Sequence, residues 1–174
     1  MMSRSVPHLV TRAYEGASLD ALLPHRYPFV LVDRIDVIEA GKRVVASKQL
    51  SGSEWWNDPR GENMMPFALV LEALAQTSGA LIPDLVGGDK FTTAYFMGAD
   101  RVRFRAPARA GELLSLDVTL QQWRRGICRT RGVATINDAV VLTAVLMTVV
   151  RASSGSRGFE FKTALPQRRS APLR

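Results

Sequence analysis

A chain of 174 residues with a 47% apolar share suits one domain around a single core, with the composition of an ordinary globular protein. Its one cysteine, Cys128, excludes an internal disulfide and a cysteine-based metal cluster. The net charge of +7 points to nucleic acid only until it is divided: residues 151–174 hold six basic residues and one acidic, residues 1–150 seventeen and fifteen. The expected organisation is therefore one nearly neutral domain over residues 1–150 and a basic, flexible tail over residues 151–174. That tail is rich in Ser, Gly, Pro and Arg and lacks the aromatic spacing of a single-strand binder. On this reading no apolar run spans a bilayer, because Glu72 and Gln76 interrupt the longest one. The N-terminus, Met-Met-Ser-Arg-Ser-Val-Pro-His, has no signal-type apolar core. The expectation is a cytoplasmic protein with neither nucleic acid nor membrane as partner.

Residues 1–17, which include His8, read as an irregular lead-in. Leu19, Leu22 and Leu23 predict a short helix stopped at Pro24. His25-Arg26-Tyr27-Pro28 reads as a turn, and Phe29 to Ile38 as a strand. A turn at Ala40-Gly41-Lys42 joins it to a second strand, Arg43 to Leu50, so the two form a hairpin. The loop from Ser51 to Met65 carries Trp55 and Trp56, expected to pack the loop or a dimer contact.

The next stretch organises the chain. From Ala68 to Ile82 it is apolar on every side except for Glu72, Gln76 and the small pair Thr77-Ser78. Such a helix is a buried one, and a carboxylate within it requires a partner or a task. Glu72 and Gln76, four apart, share a face. The plain reading is a core carboxylate that satisfies a structural hydrogen bond; the sharper one is an acid–base group. Pro66 suits the first turn, and Pro83 with Gly87-Gly88 marks the end. The unpaired N–H groups at the start suit an oxyanion or carbonyl oxygen.

Four further strands follow. Thr92 to Arg105 has an expected irregularity at Gly98. Residues 114–121 alternate apolar and polar with period two. Ile127 to Ile136 and Ala139 to Val150 follow across turns at Arg124-Arg125-Gly126 and Asn137-Asp138. Cys128 reads as an inert half-buried thiol. Six strands and one apolar helix predict an α+β fold, an antiparallel sheet wrapped around that helix. Arg101, Arg103 and Arg105 alternate with Val102 and Phe104 and so share a face, either a solvated surface or a dock for an acidic partner to which Arg124 and Arg125 could add. No metal or redox cofactor is indicated, since there is no ligand cluster and no glycine-rich nucleotide loop.

Leu23-Pro24-His25-Arg26-Tyr27-Pro28-Phe29-Val30-Leu31-Val32-Asp33-Arg34 resembles the leading segment of the FabZ-type 3-hydroxyacyl-[acyl-carrier-protein] dehydratases. Met65-Pro66 followed by Glu72-Ala73-Leu74-Ala75-Gln76 resembles that family's active-site helix. Tyr95 to Val150, with Phe104-Arg105-Ala106-Pro107 and Gly111-Glu112, resembles its last four strands. The likeness covers residues 18–150. It implies the hot-dog fold, a homo- or hetero-dimer or higher assembly, sites at the subunit interface, and acyl chains in a tunnel. It also implies action on acyl thioesters of acyl carrier protein or coenzyme A, in fatty-acid or polyketide-type synthesis.

By the same resemblance Glu72 is the catalytic acid, and Asp58 stands where the family has its loop His, the base. An unperturbed Asp is a weaker base than His by about 2.6 pKa units, or roughly 3.5 kcal/mol of proton affinity. Phe67 stands where the family has a Gly. Substrate-contacting positions carried over are Pro66, Phe67, Gln76, Tyr95, Phe96, His25 and Tyr27, with His25 read as shaping the tunnel. Arg101, Arg103 and Arg105 are the candidate carrier-protein dock. Three functions follow: a dehydratase with Glu72 and Asp58, an acyl-binding subunit that completes an active partner's site, or a thioesterase in which Asp58 and Glu72 activate water.

Overall fold

The computed structural model describes residues 12–57, 61, 63–87 and 92–152. Within them the chain forms β1 (Arg12–Glu15), α1 (Ala17–Leu22), β2 (Arg34–Glu39), β3 (Arg43–Gln49), β4 (Met64–Met65) and α2 (Phe67–Gly79). There follow α3 (Ile82–Val86), β5 (Thr92–Phe104), β6 (Ala108–Arg109), β7 (Leu113–Arg124), β8 (Ile127–Ile136) and β9 (Ala139–Ala152). The tail expected beyond Ala152, His8, Asp58, Pro59, Arg60 and Glu62 lie outside the described residues.

Burial follows the period of the strands. In β7, Leu114, Leu116 and Val118 are buried, while Ser115 and Asp117 between them are not. A seven-stranded antiparallel sheet results, in the order β1-β2-β3-β7-β8-β9-β5, with β4 and β6 as a separate two-stranded pair. β3 pairs on one side with β2 and on the other with β7, a strand far on in the sequence, setting Arg43 opposite Thr119. Between those two strands the chain makes α2, which lies on the inner face against β3, β7, β8, β9 and β5. Val70, Ala73 and Leu74 of α2 meet Leu114, Leu116, Ala134, Leu142 and Leu146 of the sheet in one core. Leu74 reaches deepest because Gly132 of β8 leaves a notch for it: a Cβ there would stand 3.1 Å from a Leu74 methyl. A sheet wrapped in this way around one buried helix is the hot-dog fold.

All six expected strands are present, and three local readings change. Arg12–Glu15, read as part of an irregular lead-in, pairs with β2 as an extra edge strand. Arg12 also forms an ion pair with Asp84 of α3, and Asp84 accepts from the Gly41 N–H at 3.1 Å. The segment from Phe29 to Asp33, read as strand, is a strap that runs to the helix. Leu31 and Val32 are buried, but the Leu31 N–H bonds to the Gln76 side chain and the strand begins only at Arg34. A short apolar run does not by itself distinguish these states. Pro83, read as ending the helix, sits in the first turn of α3 instead, and Gly87, in the left-handed region, terminates it.

The stretch Phe67–Val86 has 20 residues at a mean hydropathy of 1.3. It is long and apolar enough to cross a membrane, contrary to the expectation that Glu72 and Gln76 cut it short. Half of it is buried by its own fold, as the core helix of the sheet. Cys128 is buried against Ile82 and Val150, and that burial pushes its thiol up to about 11, which suits the inert role read from sequence.

Candidate active site

Glu72 stands midway along α2 at a cleft of about 690 Å³. One wall of the cleft is α1 and the turn after it, including Asp20, Leu22, Pro24 and His25. The floor is one face of the helix: Glu72, Ala75, Gln76 and Gly79, with Ile82 and Pro83 beyond. Thr93, Ala94 and Phe96 of β5 and Thr148 of β9 form the far wall. The helical period puts positions 72, 75, 76 and 79 on one side, so a single element supplies both the carboxylate and the apolar bed beside it.

Gln76 fixes the carboxylate. Its amide is 2% exposed and is engaged at both ends. The Nε2 group donates to the Phe29 carbonyl at 2.9 Å and to Glu72 Oε1 at 3.1 Å, while Oε1 accepts from the Leu31 N–H at 2.9 Å. The strap and the helix are thus joined through one side chain. The strap's turn also brings His25 to the carboxylate, with Nε2 at 3.4 Å from Glu72 Oε1. His25 Nδ1 is buried and has no hydrogen-bond partner among the described residues.

The approach to position 58 is held from two sides. Lys48, nearly buried, pairs with Asp33 at 3.1 Å and Glu54 at 3.0 Å. Burial pulls its pKa down, but the bonds to Glu54 and Asp33 outweigh that and leave it raised. Its contribution to stability is therefore whole below the unfolded lysine value and is lost as pH rises through the folded one. Trp55 Nε1 donates to the Pro28 carbonyl at 2.9 Å, and its ring meets Trp56 edge-on at 5.3 Å. A tilted aromatic series, His25, Phe29 and Trp55, runs from the cleft to this loop. The tryptophans pack the loop, one of the two roles expected of them.

The structure gathers Glu72, Gln76, His25 and Phe96 in one cleft and leaves other candidates outside it. Tyr27 is 91% exposed, and Tyr95 alternates with Phe96 and turns away from the cleft. Pro66 caps α2, its carbonyl accepting from Leu69 and Val70. The Phe67 ring packs on Phe104 of β5, 4.8 Å between centroids, and so leans to the strand while the N–H groups of the first turn stay at the open helix end. On the outer face, Arg101 and Arg103 line a depression of about 340 Å³ with Gln121 and Arg131. Arg105 lies past the end of β5, and Arg124 and Arg125 are at the β7–β8 turn. The sequence reading did not foresee Arg131, Asp20 or the His25–Glu72 contact. The small residues Ala75 and Gly79, on the helix face that holds Glu72, were the one available sign of a bed beside it.

Comparisons with known proteins give the family and the fold. Residues 23–145 match the model of the FabA-like domain. The chain is 42% identical over 135 residues to the 3-hydroxyacyl-[acyl-carrier-protein] dehydratase FabZ of Acidovorax sp. (strain JS42), covering 75% of this chain and 92% of that one. This chain belongs to the FabZ-type dehydratase family. The FabZ of Haemophilus influenzae (strain PittEE) is 40% identical over 141 residues, 78% of this chain and 93% of that protein. Among solved structures, the dehydratase heterocomplex ApeI:P from Xenorhabdus doucetiae superposes with a TM-score of 0.66 at 19% identity, over 78% of this chain and 91% of that one. That likeness concerns the hot-dog fold. In this FabZ-type chain, then, Glu72 lies in a cleft of the fold the family shares.

Replacement of Gln76 by Leu leaves the Leu31 N–H and the Phe29 carbonyl without their partner. The expected cost is about 2–4 kcal/mol, read as a lower urea midpoint; an unchanged midpoint would show that the amide does not hold the strap.

Proposed function

We propose that this protein acts in the cytoplasm as a 3-hydroxyacyl-thioester dehydratase, with Glu72 as the acid that protonates the leaving hydroxyl. The observation that carries the reading is the carboxylate held by Gln76 at one end of a largely apolar cleft, in a member of a dehydratase family. A base removes the proton from C2, the electron pair forms the C2=C3 bond, and the C3–O bond breaks. The departing hydroxyl takes the proton of Glu72 and leaves as water. The protonated base then returns its proton to the Glu72 carboxylate, which restores the site.

Asp58, at the family's loop-His position, takes the base role in this reading, supplied across a subunit interface. One observation favours a second assignment: His25, the stronger base in its unperturbed form, already stands 3.4 Å from Glu72 in the same protomer. The substrate is a carrier-protein thioester, the class in the names of the relatives. The outer-face pair Arg101 and Arg103, with Arg131 beside them, is the proposed dock for that acidic carrier; no ion pair engages these three among the described residues. The second subunit is placed on β5. This strand runs 13 residues at the outer edge of the sheet and exposes Tyr95, Phe96 and Met97, the last by 60%.

Mass spectrometry of a 3-hydroxyacyl-carrier protein incubated with the pure protein tests the reaction. Loss of water is expected, slowed at least about a hundredfold by Glu72→Gln, and the slower of Asp58→Asn and His25→Gln names the base. Release of free acid would make the protein a thioesterase. A silent wild type whose Asp58→His variant dehydrates would make it the subunit that completes a partner's site. Reversal of charge at Arg101 and Arg103 is expected to weaken carrier-protein binding by about tenfold; unchanged affinity would leave that face merely solvated. Light scattering should show a dimer or larger assembly that Met97→Glu dissociates, and a monomeric wild type would remove β5 as an interface.

A further inference from the structure

Gly79 is the last residue of α2 and has no left-handed backbone angle, so the backbone does not require a glycine there and an alanine would favour the helix. Close packing does not account for it either. A Cβ built at Gly79 meets nothing within 4 Å, whereas one at Gly132 would press on Leu74. Among the described residues, what borders the missing side chain is the cleft, which Gly79 lines. It stands seven residues after Glu72 on the same face, about 10 Å along the axis at the helical rise. Ala75, the other small residue of that face, lies between them, and Ile82 and Pro83 close the line beyond.

We propose that Gly79 sets the acyl-chain length this protein accepts. The reacting carbons lie at Glu72, the hydrocarbon runs over Ala75 toward α3, and the bare backbone of Gly79 leaves room for a chain that extends about two helical turns from the carboxylate. Polar groups cluster at the Glu72 end through Gln76 and His25, while Gly79, Ile82 and Pro83 offer hydrocarbon at the other. This fits an apolar ligand with one polar, reactive end. The proposal rests on the dehydratase reading and names the specificity determinant of the same cleft. It assigns Gly79 no part in the proton transfers.

The test compares 3-hydroxybutanoyl and 3-hydroxydecanoyl thioesters as substrates for the wild type, Gly79→Ala and Gly79→Leu. The ratio of kcat/KM for the long chain to that for the short one is expected to fall by about tenfold or more in Gly79→Leu, with a smaller fall in Gly79→Ala. Gly79→Ala should unfold at a temperature at least about 2 °C higher, which separates loss of room from loss of folding. An unchanged ratio in both variants would overturn the proposal. So would a lower melting temperature for Gly79→Ala, or a change in light-scattering mass, since either would mean that protein rather than substrate fills the space at Gly79. If the wild type turns over neither thioester, tryptophan-fluorescence titration with decanoate and butanoate replaces the ratio. Selective loss of decanoate binding in Gly79→Leu then upholds the gauge although the dehydratase reading fails, and equal binding sinks both.

Discussion

The amide of Gln76 is where fold and chemistry meet. One buried side chain accepts from the backbone of the strap, donates back to it two residues away, and donates to the carboxylate of Glu72. In the interior such bonds are costly to leave unmade, so the strap has one position that satisfies them all. That position carries His25 to Glu72 and closes one side of the cleft. An apolar residue at 76 would suit the core of the helix equally well, yet it would neither locate the strap nor hold the Glu72 carboxylate. The polar residue is retained because two segments 45 residues apart in sequence must share one geometry.

The site contains more within one protomer than the loop position alone supplies. Dehydration requires two groups of different proton affinity near adjacent carbons, and the proposed acid, Glu72, has an imidazole 3.4 Å away in the same protomer. In the proposed reaction an Asp at the loop position would be a weaker base than a His by roughly 3.5 kcal/mol of proton affinity, and His25 would be a second basic group at the cleft. The loop itself stays fastened, by Lys48 between Asp33 and Glu54 and by the Trp55 bond to Pro28.

Much of this was legible in the sequence because the signals were periodic. An all-round apolar helix broken by Glu72 and Gln76 points to burial, and the alternation of Leu114, Leu116 and Val118 points to a half-buried strand. The rest was hidden for definite reasons. Leu31 and Val32 read as strand because burial, not pairing, is what apolar composition reports. The contact between His25 and Glu72 spans 47 positions and exists only once the strap is docked. Period two indicates that Tyr95 and Phe96 face opposite sides but not which side holds the cleft. In β5 the register shifts between Phe96 and Gly98 and again between Asp100 and Arg103, with Arg101 in the left-handed region. Each shift resets the alternation, yet Arg101 and Arg103 still line one depression, and Arg105 is set apart because it lies past the end of the strand.

The pairing of β3 with β7 has a consequence for the birth of the chain. The helix that forms the centre of the fold is complete at Gly79, but the strands that cover it, β7 to β9, end only at Ala152. At the pace of translation, about 5–20 residues per second, a helix apolar enough to pass for a membrane span waits on the order of several seconds for its wrapping. Until then it has the chemistry of a client for chaperones that bind apolar segments. The hot-dog arrangement, compact when finished, makes its most hydrophobic element depend on the part of the sheet synthesised last.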